Sequence, residues 1–236
     1  MSEKKFYRQP PPGVNPKKLP GLLVVIEGTD SSGRSTQIGL LASWLEQKGY
    51  AVAQAGLKRS QLVGEALEEA KKGNVLSPRT MSLFYATDFY DQLENRIISA
   101  LRAGYVVLAD RYIFTLMVRD IVRGADKDWL KSLYSMAVVP DVTFYLHLSW
   151  RALVERTMKT YSNLDYWESG MDLGLSRDWF DSFSKYQRKV RTEFGKLAKE
   201  YKFIEIDANH PVEETNREIK SHLEAMLEKH YINGKQ

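Results

Sequence analysis

The sequence is organised around the stretch Glu27-Gly28-Thr29-Asp30-Ser31-Ser32-Gly33-Arg34-Ser35-Thr36. This stretch follows the apolar run 22–26 and leads into a segment whose apolar residues recur at helical spacing. The order of strand, glycine turn and helix fits the phosphate-binding loop pattern G-x-x-x-x-G-K-[ST] at every fixed position but one. In such a loop, backbone N–H groups and the positive end of the following helix hold phosphate oxygens. The residues expected to contact the phosphates of a nucleotide are Gly28, Ser31, Ser32, Gly33, Arg34, Ser35 and Thr36.

Arg34 stands where that pattern has lysine. It keeps the positive charge, but its planar guanidinium is bulkier than the ammonium group that can follow a phosphoryl group in flight. Ser35 keeps the hydroxyl with which such loops ligate Mg²⁺. We therefore expect Arg34 to act during phosphoryl transfer and Ser35 to contribute to a Mg²⁺ site.

The composition is typical of one α/β domain with a proper core. The chain has 236 residues, no cysteine, four histidines without metal-ligand spacing and a net charge of +4. The absence of thiols excludes disulfides and cysteine-held zinc, so any metal is expected to be Mg²⁺ brought by a nucleotide. Because the sequence has no apolar run of membrane-spanning length, no secretory leader and no basic stripe with interleaved aromatic residues, we expect a cytoplasmic protein that binds neither membrane nor nucleic acid.

Strand and helix patterns alternate along the chain, which predicts a five-stranded parallel sheet with helices on both faces, right-handed crossovers and ligands at the carboxyl ends of the strands. The predicted strands are 22–26, 51–55, 105–109, 142–148 and 203–206. The predicted helices follow the phosphate-binding loop to about residue 48, and cover 62–72, 78–104, a stretch around 129–136, 150–159, 179–199 and 212–229. Residues 113–128 receive no helix in this prediction.

Three segments are expected to lie outside the rigid part of the domain. Residues 1–20 contain five prolines and five lysines or arginines, which indicates a flexible N-terminal arm, with packing against a partner subunit as the alternative. Residues 160–177 are polar and poorly periodic, which indicates a mobile lid. The third segment, 231–236, is a predicted C-terminal tail. The domain itself is predicted to span 21–230 and to include the lid.

The predicted topology brings several charged groups to one rim of the sheet. Asp30 lies in the loop after the first strand, and Asp110 and Arg111 end the strand 105–109. An aspartate at the end of an apolar strand is what a Mg²⁺ water shell needs beside a phosphate-binding loop. Asp110 is therefore a predicted Mg²⁺ group, although an ion pair with Arg111 is the simpler alternative. Arg59 lies after the weak strand 51–55 and has a lesser claim from its position alone.

The sequence resembles the thymidylate kinases, a family of P-loop nucleoside monophosphate kinases, from about residue 22 to about residue 227. The resemblance rests on 27–36, on Arg59-Ser60 followed by Gly64, and on Ser82-Leu83-Phe84-Tyr85-Ala86. It rests also on 104–112, on 140–146 and on Ile206-Asp207-Ala208. The implied fold is the three-layer α/β/α fold of P-loop NTPases.

The resemblance implies roles for individual residues. Asp30 would contact the 3′-hydroxyl of the acceptor sugar, Arg59 and Arg111 would hold the acceptor phosphate, and Phe84 would stack on the base. Asp110 would help to place Mg²⁺, and the loop 207–212 would cover the adenine of ATP. The family also implies a homodimer.

Three positions depart from the family pattern. Arg34 replaces lysine, and Asp88 stands at or beside the place of an arginine that helps to read the base. In the lid, Asp165-Tyr166-Trp167-Glu168 lacks the usual arginine. Because Ser31 and Ser32 leave no arginine in the phosphate-binding loop before Gly33, Arg156 and Lys159 are the predicted catalytic cations beside Arg34 and Arg111.

These observations predict a kinase that moves the γ-phosphoryl group of ATP to a deoxynucleoside monophosphate, with dTMP as the expected acceptor. Asp88 is expected either to face the base and loosen base selection, since a carboxylate cannot donate to a pyrimidine carbonyl, or to point away and leave recognition to a neighbour such as Thr87 or Gln92. Two alternatives remain open. One is a relative with another nucleotide or nucleoside as acceptor, and the other is a nucleotide-binding regulatory protein that has lost transfer.

Overall fold

The computed structural model describes residues 3–73, 76–160 and 166–232. Five parallel strands form one sheet in the order β2-β3-β1-β4-β5. Their bounds are β1 Leu22–Gly28, β2 Val52–Gly56, β3 Val106–Asp110, β4 Val142–His147 and β5 Ile204–Asp207. The prediction of a five-stranded parallel sheet is therefore confirmed, with strand ends shifted by one or two residues.

Helices connect the strands and cover both faces of the sheet. They are α1 Arg34–Gln47, α2 Gly64–Gly73, α3 Pro78–Gln92, α4 Ile98–Arg102, α5 Ile113–Val122, α6 Lys127–Leu133, α7 Trp150–Thr160, α8 Trp179–Glu200 and α9 Val212–Ile232. One of them, α5, lies in the segment to which the sequence pattern assigned no helix. None of the described helices is long and apolar enough to cross a membrane.

The core divides into two parts because alternate residues of a strand point to opposite faces. Leu23 and Val25 of β1 pack with residues of α3, α5 and α8, whereas Val24 and Ile26 pack with residues of α1 and α9. Every residue of β1 is buried, as expected for a central strand that is covered on both faces. The result is the three-layer α/β/α arrangement that the sequence predicts.

The long helical pattern 78–104 contains an irregular turn. A π-helical turn, Leu93–Ile97, joins α3 to α4. It brings Leu93, Ile97 and Leu101 into the core, while Arg96 remains exposed. The chain thus keeps one continuous helical path, and its buried residues Leu93, Ile97 and Leu101 follow one another at intervals of four residues.

The N-terminal arm packs against the domain over its described residues, whereas its predicted flexibility stays a prediction. Lys4 forms a part-buried ion pair with Asp141, with Nζ 2.6 Å from Oδ1. Phe6 pairs with Val138 in an isolated antiparallel bridge, and Leu19 is buried. Apolar burial and one part-buried ion pair therefore hold this proline-rich arm against the domain in the structure.

Candidate active site

The phosphate-binding loop leaves β1 and enters α1 as the sequence predicts. Gly33 has φ +89°, a left-handed conformation that favours glycine, and it directly precedes the first residue of α1. At Gly28, a Cβ atom would lie 2.6 Å from the Ser32 hydroxyl and 3.0 Å from the carbonyl oxygen of Leu146, so any side chain would crowd this turn. Glycine is thus favoured at these two positions of the motif for two different structural reasons.

Arg34 lies folded beneath this loop and is 8% exposed. Its Nη1 donates to the carbonyl oxygens of Gly28, at 2.6 Å, and Thr29, and lies 3.2 Å from the Ser32 hydroxyl. Its Nε donates to Asp110 at 3.0 Å. The guanidinium therefore braces the loop and ties it to the end of β3. A lysine ammonium in this place would lack the fork that makes both attachments at once.

Asp110 and Ser35 form the part of the site that suits Mg²⁺. The Ser35 hydroxyl donates to Asp110 Oδ2 at 2.7 Å, so two hard oxygen ligands lie side by side. Burial alone would raise the pKa of Asp110, but the charge of Arg34 and the bond from Ser35 outweigh it and lower the pKa. The described residues contain no cluster of three or more acidic or histidine groups that could cage a metal. This donor set fits a Mg²⁺ ion that brings its own phosphate and water ligands.

Asp30 lies between two arginines. Arg111 donates to one of its carboxylate oxygens, and Arg119 Nη2 lies 3.4 Å from the other. Burial alone would raise the pKa of Asp30, but the charges of Arg111 and Arg119 outweigh it and hold the pKa below its ordinary range. Arg111 has φ +69°, and its buried Nε finds no hydrogen-bond acceptor among the described residues. Asp30 is therefore held as an ionised carboxylate between Arg111 and Arg119.

Glu27 forms hydrogen bonds that support the turn containing Arg111. Its Oε1 accepts from the backbone N–H groups of Tyr112, at 2.9 Å, and Thr115, at 3.2 Å, while Oε2 accepts from the Thr115 hydroxyl. Burial raises the pKa of Glu27 to about 7. Because these bonds join β1 to the start of α5, they fix the direction in which Arg111 leaves β3.

Asp88 does not face a base-sized cavity, and this corrects the expectation that it selects the base. It is fully buried and accepts hydrogen bonds from the backbone N–H groups of Lys58 and Ser60, each at 2.9 Å. Gln92 Nε2 donates to it at 3.1 Å. Both carboxylate oxygens are thus occupied by the loop around Arg59, because α3 packs directly beneath that loop.

Most of the predicted site residues surround one open cavity, the phosphate cleft, with about 1490 Å³ of empty space including its open side. Its lining comprises the loop residues 30–36 together with Leu57, Arg59, Asp110, Arg111, Arg156, Lys159 and Val212. Three predicted residues, Gly28, Phe84 and Asp88, do not line it. Phe84 is half-buried on α3 and packs against the core. The cleft therefore combines five cationic side chains with two aspartates at the carboxyl ends of the strands.

The two predicted lid cations have other contacts in this structure. Arg156 Nη2 donates to the carbonyl oxygen of Ala208 at 2.9 Å, which ties α7 to the loop after β5. Lys159 pairs with Glu155 one helical turn away and is largely exposed. Gln37 donates to the carbonyl oxygen of Val212 at 3.0 Å and fastens the same loop to α1. Arg156 thus belongs to the wall of the cleft, whereas the ion pair that Lys159 forms with Glu155 among the described residues is exposed and therefore weak.

A second cavity lies next to the phosphate cleft, on the side of α5. This aromatic cavity has about 460 Å³ of empty space including its mouth, and its walls include Tyr85, Trp167, Tyr186, Arg119 and Asp120. Burial raises the pKa of Asp120 to about 6. Arg119 joins the two cavities because it reaches Asp30 from the aromatic wall. Arg119 and Asp120 were not predicted as site residues because no helix was predicted for 113–128. Both nevertheless follow Asp110-Arg111 by less than three helical turns.

The described part of the predicted lid, from residue 166 onward, covers the aromatic cavity. Arg123 anchors it: Nη2 donates to the Trp167 carbonyl at 2.8 Å and Nε to Asp172 at 2.8 Å, and the guanidinium lies over the rings of Trp167 and Tyr186. Trp167 also donates its ring N–H to the carbonyl oxygen of Lys71 at 3.2 Å. Asp165 and the rest of 161–165 lie outside the described residues. The mobility of the lid stays a prediction.

Comparison with known proteins agrees with this geometry. A family model described as thymidylate kinase matches residues 26–219. The chain is 38% identical over 201 residues to "Probable thymidylate kinase 2" of Saccharolobus solfataricus, covering 85% of this chain and 94% of that relative. It is 32% identical to "Probable thymidylate kinase" of Thermococcus gammatolerans over 84% of this chain and 94% of the relative. It is 30% identical to "Thymidylate kinase" of Caldicellulosiruptor saccharolyticus over 89% of this chain and 100% of the relative.

Proposed function

Because the chain belongs to the thymidylate kinase family, we propose that it transfers the γ-phosphoryl group of ATP to dTMP and yields ADP and dTDP. The observation that carries this proposal is the phosphate cleft, which the phosphate-binding loop enters from one side and Arg59 and Arg111 from the other. A donor triphosphate and an acceptor monophosphate can meet end to end between them. Such positioning is the main requirement of phosphoryl transfer.

The donor side uses the backbone of the loop. N–H groups at the start of α1 and the positive end of that helix hold the phosphates of ATP. Ser35 and Asp110 would hold Mg²⁺, which when bound offsets phosphate charge. Arg34 keeps the loop in shape and contributes positive charge from below. Arg156 and the loop that it contacts would form the wall beside the adenine.

The acceptor side uses the charges at the ends of β2 and β3. Arg59 and Arg111, which both line the cleft, would bind the acceptor phosphate through charge-assisted hydrogen bonds. Asp30 would accept from the sugar hydroxyl. In-line transfer with this charge compensation requires no general base, and the lid excludes water from the reacting phosphates.

The aromatic cavity is the site that suits the acceptor base. Tyr85, Trp167 and Tyr186 provide ring surfaces, and Arg119 connects this cavity to the sugar and phosphate positions at Asp30 and Arg111. Stacking gives affinity with little choice among bases, so choice must come from polar groups on the wall. Asp120 takes that role in our proposal, in place of Asp88. Phe84 would contribute from the neighbouring face of α3.

An ADP-release assay with Mg²⁺-ATP and a panel of nucleoside monophosphates and nucleosides tests the activity. We expect dTMP to be the leading acceptor. Arg59→Ala and Arg111→Ala should each raise the acceptor KM by roughly tenfold or more, because each loses bonds to a dianion. The ATP KM should change little. Arg102→Ala, an exposed arginine far along α4, is the matched control.

A second candidate function is a nucleotide-binding regulatory protein without transfer. The observation that favours it is that Arg34 is engaged with loop carbonyls and Asp110 in the structure. ATP binding by calorimetry without ADP release over the whole acceptor panel would support this reading, and turnover with any acceptor would exclude it. The family also leads us to propose a homodimer, which sedimentation of the purified protein tests.

A further inference from the structure

Residues 56–60, which comprise the last residue of β2 and the start of the loop that follows it, form hydrogen bonds with α3 at four points. Gln92 Oε1 accepts from the Gly56 N–H at 3.2 Å, and the Ser60 hydroxyl donates to Asp91 at 2.6 Å. The other two points are the bonds from the Lys58 and Ser60 backbone N–H groups to Asp88. These last two bonds bracket Arg59 in sequence, so one carboxylate fixes the backbone on both sides of it.

The backbone that Asp88 holds is not one that the chain adopts freely. Lys58 has φ +60°, in the left-handed region that residues other than glycine rarely occupy. Of the four such residues in the described part of the chain, Ser31, Lys58 and Arg111 all lie in loops around the phosphate cleft. Backbone of this kind persists only where surrounding contacts determine it. At Lys58 the contact with its N–H group is Asp88.

We propose that Asp88 is a positioning residue for Arg59, so that this buried carboxylate acts on the acceptor phosphate without touching it. The inference rests on the proposed function, because it takes the acceptor phosphate as the ligand of Arg59. It replaces the base-selecting role that the sequence suggested. A carboxylate whose oxygens bind two backbone N–H groups and one amide, and which has no exposed surface, cannot also read a base edge.

Two substitutions separate these roles. Asp88→Ala removes both acceptors, and Asp88→Asn keeps one oxygen while its amide nitrogen can accept from neither backbone N–H group. Glu94→Gln is the matched control, since it removes an exposed carboxylate from the π-turn that continues the same helix. For each variant, kcat and both KM values are measured with dTMP, and dUMP and dCMP are run in competition. Thermal unfolding and calorimetric ATP binding report whether the variants are folded.

We expect both Asp88 variants to raise the acceptor KM by roughly tenfold to a hundredfold, the size of a lost charge-assisted bond, with the alanine variant worse. The ATP KM and the ratio of dTMP to dUMP and dCMP use should stay within about threefold of wild type, a difference below one such bond. The control should match wild type. In Arg59→Ala protein, adding Asp88→Ala should change the acceptor KM by less than about twofold, because the two residues act in series.

Three outcomes would overturn the inference while wild-type turnover persists. They are an unchanged acceptor KM in folded Asp88→Asn protein, a changed base preference with an unchanged dTMP KM, and full additivity of Asp88→Ala with Arg59→Ala. Absence of wild-type turnover with every acceptor would instead refute the proposed function. In that case direct calorimetric binding of dTMP to wild-type and Asp88→Asn protein decides the inference, and equal affinity would refute it.

Discussion

Replacing Glu27 by glutamine should make the protein less sensitive to pH, and the size of the effect follows from its burial. Glutamine has the same shape, and its oxygen can accept from the N–H groups of Tyr112 and Thr115 while its amide nitrogen donates to the Thr115 hydroxyl. The hydrogen bonds that support the Arg111 turn are thereby retained. The main difference between the two proteins is that only the wild type must ionise a fully buried carboxyl.

The magnitude comes from the raised pKa. The pKa of Glu27 is about 7 in the fold against an ordinary value of 4.5. A raised carboxyl pKa means that stability is fully present below the ordinary pKa and is lost as pH rises through the folded value. For these two values the ionisation costs about 1 kcal/mol of stability at pH 5 and about 3 kcal/mol at pH 8. Wild type should therefore lose about 2–3 kcal/mol relative to Glu27→Gln between these pH values.

Urea unfolding of both proteins at pH 5, 6, 7 and 8 measures this difference directly. In thermal unfolding, the same difference corresponds to a gap in Tm that widens by roughly 5–10 °C over the range. Glu46→Gln, which changes an exposed glutamate on α1, should give a flat difference from wild type. Parallel pH curves for wild type and Glu27→Gln would refute the reasoning, since Glu27 would then ionise in the fold as easily as in water.

Three further predictions test other parts of the site and the arm. Arg34→Lys should raise the ATP KM and lower kcat together, each by roughly tenfold, because an ammonium cannot join the Gly28 carbonyl to Asp110; steady-state kinetics that show only a kcat loss would contradict this bracing role. Asp120→Asn should change the ratio of dTMP to dCMP use in competition kinetics, and should raise stability above pH 6 because it removes a buried ionisation; an unchanged ratio would place Asp120 outside base recognition. Lys4→Ala should cost about 1.5–3 kcal/mol in urea unfolding at neutral pH by removing the ammonium group that pairs with Asp141, and wild-type stability would mean that the arm is detached in solution.

The sequence predicts the sheet well because its strands are continuous apolar runs, which only a strand covered on both faces accommodates at this length. The phosphate-binding loop is also predicted well, since the strand, the glycines and the helix all indicate the same motif.

The helix α5, in contrast, was not predicted. Its residues, Ile113–Val122, are mostly apolar and begin just after a strand, so the segment resembles a continuation of the apolar run, although Thr115 and Arg119 are four residues apart, as on one face of a helix. Arg119 and Asp120 were missed with it.

Other differences arise from contacts between residues far apart in sequence. The spacing on α3 allows Asp88 to face the site, but only the path of the loop that follows β2 decides that its oxygens are occupied. The same holds for the N-terminal arm. Its composition favours an extended chain, but its packing depends on Asp141, more than a hundred residues away. Local pattern gives the type of an element, whereas these long-range contacts give the role of a side chain.

The π-turn between α3 and α4 means that this helical path contains one residue more than a regular helix of the same length would hold. An extra residue of this kind lets both ends of a helix keep their own partners, here the loop around Arg59 at one end and the core at the other. Removing one residue from this turn, such as the exposed Asn95, would therefore let the chain close as a regular helix without turning either end away from its partners. Removing a residue from the regular part of α3 would instead turn the two ends against each other by about 100°. The π-turn is thus a point at which chain length can change while the acceptor loop stays in register with the rest of the domain.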